Sequence, residues 1–191
     1  MFETVLLLAV PTAGFRLLGA LGVRRFAGWR VSAAHGLAVM LVFTASAHFA
    51  PAGVTVMPNR ADMEAMIPPF VPFPTAVVYA TGVLELLGAA GLVKASTRRL
   101  AGFGLAAFFV GILPANVYAA VEEVPMGGDP ATPLWFRIPE QLLYIAVALW
   151  AARDRQAQGG SYRYRNFSAS PVHGAPPPSP SASSVTGSGA H

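Results

Sequence analysis

TAVVYATGVLELLGAAGLV, residues 75–93, is an apolar block with one charged member, Glu85, near its middle. A helix needs about 20 residues to cross roughly 30 Å of hydrocarbon, so the length fits a membrane span. A carboxylate at that depth costs about 2.5–3.5 kcal/mol on insertion scales and is kept where it faces a partner or a cavity. Thr81, Gly82, Gly88 and Ala89 lie three or four positions from Glu85, on one helical face, and small residues there let another helix approach closely. The block therefore predicts a spanning helix with a polar, small-residue face turned toward a neighbour.

The rest of the chain matches that reading. Its 191 residues are 54% hydrophobic and 12% charged, too apolar for an ordinary soluble domain. Five apolar blocks stand out: Glu3–Val23, Val31–Ala50, Thr75–Val93, Leu100–Val121 and Leu134–Ala152. The first holds Pro11 and Arg16; Glu3 and the lack of a basic start argue against a signal peptide there. The expected organisation is an N-terminal spanning helix with a basic loop over 1–30, a four-helix membrane domain over 31–155, and a disordered Pro/Ser/Gly-rich tail over 156–191.

The net charge of +4 does not point to nucleic acid, because the basic residues sit at the ends of apolar blocks. Arg24, Arg25, Arg30, Lys94, Arg98, Arg99, Arg153, Arg155, Arg163 and Arg165 all fall on one side of a five-span arrangement. Only Arg60 and Arg137 lie in the opposite loops, beside Asp62, Glu64, Glu122, Glu123 and Asp129. The bias predicts an N-terminus outside and a C-terminus in the cytoplasm of a bacterial plasma membrane. Between the second and third blocks, Asn59 is an expected N-cap for a short amphipathic turn reaching Ile67, and the prolines at 68, 69, 72 and 74 predict a polyproline-like stretch after it.

Placing polar residues by depth gathers His48, Glu85, Asn116, Arg137, Glu140 and Gln141 in the outer half, as a candidate ligand pocket. Pro114 predicts a kink and leaves the Val110 carbonyl without its helical donor. The blander reading is a kink packed by neighbouring helices. Glu85 has two readings, a proton-handling group or half of an ion pair with Arg16, which reaches a similar depth. His48 alone reads as an interfacial hydrogen-bonding residue, and His35 has no partner at metal-ligand spacing. No catalytic or metal constellation appears, and the absence of cysteine removes disulfides and thiol redox chemistry from this chain.

LVFTASAHF at 41–49, MIPPFVPFP at 66–74, TGVLELLGAAGL at 81–92, RRLAGFGLAAFFVGILPANVYAA at 98–120 and FRIPEQ at 136–141 together resemble the DoxX-like family of small bacterial integral membrane proteins. The resemblance implies an all-α four-helix transmembrane bundle, to which this chain adds one N-terminal transmembrane helix. The family takes its name from a subunit of a thiosulfate:quinone oxidoreductase, and some actinobacterial relatives are associated with oxidative-stress membrane complexes. The expected function is thus a non-catalytic subunit that binds a quinone or lipid and supports a partner oxidoreductase or stress-response complex. A ligand-free scaffold is the alternative. A proton-linked transporter ranks last, since no inverted repeat is visible.

Overall fold

The computed structural model describes residues 2–55 and 57–153. The expected tail over 156–191, with Arg155, Arg163 and Arg165, lies outside the described residues. Within them the chain forms α1 (Glu3–Ala20), α2 (Trp29–Phe49), α3 (Arg60–Ala65), α4 (Pro74–Val93), α5 (Arg98–Val121) and α6 (Leu134–Ala152), with a short 3-10 turn at Arg24–Phe26. No strand is present among the described residues; Met126 and Asp129 form an isolated bridge. Four helices, α1, α2, α4 and α5, are long and apolar enough to cross a membrane. Helix α6 has 19 residues and the same bounds as its apolar block.

Helix α2 is the hub. It packs against α1, α4 and α6, while α5 packs against α4 and α6. Leu37, Leu41, Ala89, Leu92, Leu105, Phe109, Tyr144 and Ala148 meet in one core. On α4 the buried positions are Val78, Gly82, Glu85, Ala89 and Leu92, a stripe at helical spacing that includes the charge. The opposite faces are bare and apolar: Leu87 is 63% exposed and Leu100 77%. Large continuous apolar surface of this kind belongs against lipid or another protein.

Close packing depends on glycine where helices touch. A Cβ on Gly82 would lie 2.7 Å from the His48 Cβ, so the α2–α4 approach has no room for a methyl group. The end of α4 is closed by side chains: Thr97 donates to the Gly91 carbonyl at 2.9 Å, Arg98 Nε to Leu92 at 2.8 Å, and Arg25 Nη2 to Val93 at 2.9 Å. These satisfy carbonyls that a helix end leaves without partners, and the cations also suit the negative end of the helix dipole.

At the other end Asn59 caps α3 as expected, in a reciprocal box with Asp62. The following prolines do not run extended. Val71 N–H bonds back to the Pro68 carbonyl at 2.9 Å, which makes a turn, and Phe73 takes a left-handed conformation (φ 56°) just before Pro74 opens α4. Pro74 itself suits the first helical position, where no N–H is needed. Pro11, Pro114 and Pro139 all lie inside helices that continue past them.

Candidate functional site

The six polar residues grouped by depth do not meet in one place. They separate into three hydrogen-bonded groups, each in a different helix seam. The first lies between α2 and α4. His48 Nε2 is 3.5 Å from Glu85 Oε1. Its Nδ1 lies 2.8 Å from the Val78 carbonyl, and since a carbonyl only accepts, Nδ1 carries a hydrogen and Nε2 is turned to Glu85. Thr44 donates to Glu85 Oε2 at 2.8 Å, and Thr81 Oγ1 stands 3.1 Å from His48 Nδ1.

Glu85 is therefore paired with His48, not with Arg16. Arg16 lies with its guanidinium 5.5 Å from the centre of the Trp29 ring, at the Arg-rich end of the chain. Depth alone allowed the pair, but α1 runs along α2, with Thr12 against Gly36, and Arg16 takes the aromatic face available there.

The second group lies between α5 and α6. Arg137 Nη1 donates to Asn116 Oδ1 at 2.9 Å, Asn116 Nδ2 to Gln141 Oε1 at 3.3 Å, and Gln141 Nε2 to the Phe109 carbonyl at 2.8 Å. The Gln141 amide thus reaches the Phe109 carbonyl, not the Val110 carbonyl that Pro114 leaves without its helical donor. Arg137 Nη2 lies 3.7 Å from Met126 Sδ. In the third group Glu140 accepts from Tyr144 at 2.7 Å and from Thr4, tying α6 to the start of α1.

Thr81 was legible as a member of the Glu85 face, but Thr44, Tyr144, Met126 and Thr4 were not singled out by sequence. Thr44 had a signal: it precedes His48 by four residues, which puts it on the face of its helix that carries the polar residue. His35 also has partners. Arg25 Nη2 is 3.1 Å from its Nε2, and the Phe15 and Phe26 rings pack against it with centroids 5.4 and 5.0 Å away.

None of the six residues lines either of two open apolar grooves. One, of about 550 Å³, runs between Pro68 and Phe70 of the loop before α4 and Val110, Pro114, Val117 and Tyr118 of α5. The other, of about 230 Å³, lies between α4 and α5 beside Leu84, Leu87, Gly104 and Phe108. Among the described residues no group of three or more His, Cys, Asp or Glu could hold a metal ion.

Over the described residues these features define an all-helical protein with apolar outer helix faces and buried polar groups in its helix seams. The chain belongs to the family described as a domain of unknown function (DUF8561), whose model matches residues 37–152, from within α2 to the end of α6. No curated protein matches the chain, and no solved structure does.

Proposed function

We propose that the chain is a multi-pass protein of a bacterial plasma membrane, with its N-terminus outside and C-terminus in the cytoplasm, acting as a non-catalytic subunit that holds a lipophilic small molecule. In this reading α1, α2, α4, α5 and α6 are the spans, and the resemblance to the DoxX-like family suggests a quinone or lipid as ligand and an oxidoreductase or stress-response complex as partner. The observation that carries the ligand is the larger groove. Its volume of about 550 Å³ falls within the range of small-molecule sites, its walls are apolar, and the Tyr118 side chain is a phenol among them. An isoprenoid or acyl chain would replace exposed contacts of Phe70, which is 81% exposed.

The test is native mass spectrometry of the full chain in detergent, with decylubiquinone added, beside Val117→Trp, which fills the groove. Retention of a lipophile or the quinone by the wild type, and its loss in the variant, supports the reading. Failure of the wild type to hold either overturns it.

A second reading has its own support. Each polar group bonds chiefly within its own seam, as a ligand-free scaffold requires, with buried polar pairs fixing how the helices face one another. The groove separates the two: a scaffold holds no lipophile for Val117→Trp to displace, and Glu85→Gln then changes melting alone. A scaffold residue alters melting without altering what co-purifies.

A further inference from the structure

Arg137 carries a buried guanidinium whose donors are only partly satisfied. Its side chain is buried, 9% exposed, yet among the described residues it forms no ion pair. Glu140, the acid on the next turn, is engaged by Tyr144 and Thr4 instead. A guanidinium has five N–H donors in a planar fork and cannot become an acceptor. Here Asn116 Oδ1 takes Nη1 at 2.9 Å, Nη2 meets only the Met126 thioether at 3.7 Å, and Nε is buried with no hydrogen-bond partner. Nε and Nη2 form the edge that binds carboxylate and phosphate through two parallel hydrogen bonds. Asn116 thus holds the fork from one side and leaves that edge to a weak sulfur acceptor.

We infer that the Nε–Nη2 edge of Arg137 is an oxyanion site, taking the carboxylate or phosphate of a small molecule or amphiphile in place of Met126. The thioether is the removable part. Methionine has a flexible, unbranched side chain, and it sits in the loop between α5 and α6, which carries left-handed glycines at Gly127 (φ 58°) and Gly128 (φ 83°). That loop is anchored at Gly127, whose N–H bonds to Asp62 Oδ2 at 3.0 Å, so Met126 can turn aside while the loop stays attached to α3. Asn116 and Gln141 keep the guanidinium plane fixed as the anion arrives. The inference goes beyond the groove reading and rests on Arg137 alone.

The experiment measures binding of three probes to the full chain in neutral detergent: oleate, oleyl alcohol and inorganic phosphate. Oleate should bind at least about tenfold tighter than oleyl alcohol, and Arg137→Lys should weaken oleate about tenfold, because an ammonium lacks the fork. Phosphate binding without an oleate preference identifies a free ion as the ligand; oleate alone identifies an amphiphile. Equal affinity for oleate and oleyl alcohol with no phosphate binding overturns the site, as does unchanged oleate affinity in Arg137→Lys. If that variant does not fold, Met126→Ala decides. It uncovers the edge and should tighten the anion that binds, and an unchanged affinity overturns the site. Decylubiquinone binding with none of the anions would leave the groove reading standing while this one falls.

Discussion

His48 of α2 and Glu85 of α4 face each other at 3.5 Å, and the threonines beside them are exchanged: Thr44, on the histidine's helix, donates to Glu85, while Thr81, on the glutamate's helix, stands 3.1 Å from His48. Each helix thus supplies a partner to the other's ionisable group. With Nδ1 bonded to the Val78 carbonyl, Nε2 is the ring nitrogen that faces the Glu85 carboxyl group. The pair is nearly closed to solvent, with 10% and 8% of the two side chains exposed.

Removing one member of such a pair leaves the other buried without a partner, a loss of about 3–5 kcal/mol for buried ion pairs. Glu85→Leu and His48→Leu should each lower stability by an amount of that order. The double variant should lose clearly less than the sum, since no polar orphan remains. Reversible unfolding in mixed micelles measures the cycle. Strict additivity would mean that the two residues do not support each other.

The closeness of the same two helices gives a steric prediction. Gly82→Ala places a methyl carbon 2.7 Å from the His48 Cβ and 3.0 Å from its Cγ, and neither helix can give way without moving backbone. A loss of about 1–3 kcal/mol follows from overpacking. Gly104→Ala on α5 meets nothing within 4 Å and should be neutral or stabilising by up to about 1 kcal/mol through helix propensity. Comparing the two melting shifts checks the α2–α4 contact. Equal shifts would show that the helices stand farther apart.

Arg16 is expected to act independently of Glu85. Its described contact is the Trp29 face, worth roughly 0.5–2 kcal/mol. Arg16→Leu combined with Glu85→Gln should therefore give effects that add within about 0.5 kcal/mol. A coupling well above that in the same unfolding assay would place Arg16 in the Glu85 network.

The helices were legible because the apolar blocks are long and end at charge, proline or glycine: Leu134–Ala152 is reproduced residue for residue, and the other long helices differ at their ends by a few residues. Asn59 was legible as a cap because capping is local chemistry. The site was legible only in part. Sequence gives a residue's depth along its helix, and depth grouped His48, Glu85, Asn116, Arg137, Glu140 and Gln141 together. Which seam each faces depends on how the helices are rotated and which are neighbours. That information lies in contacts such as Gly82 on His48 and Thr12 on Gly36. Pairing Glu85 with Arg16 failed for the same reason.

The absence of cysteine makes the proposed orientation directly testable, since any introduced thiol is the sole reactive one. Ser96, between α4 and α5, and Glu122, just after α5, are both exposed and lie at opposite ends of the 24-residue helix α5. At 1.5 Å per residue that helix is about 36 Å long, enough to put its ends on opposite sides of a hydrocarbon core of roughly 30 Å. Lys94, Arg98 and Arg99 flank Ser96, whereas Glu123 and Asp129 follow Glu122, so the proposed orientation, drawn from the positive-inside rule, predicts a cytoplasmic Ser96. In intact cells a membrane-impermeant maleimide should label Glu122→Cys and spare Ser96→Cys until the cells are opened. The reverse pattern would invert the topology, turning the Arg137 end of α6 toward the cytoplasm. Labelling of both in intact cells would mean that α5 does not span.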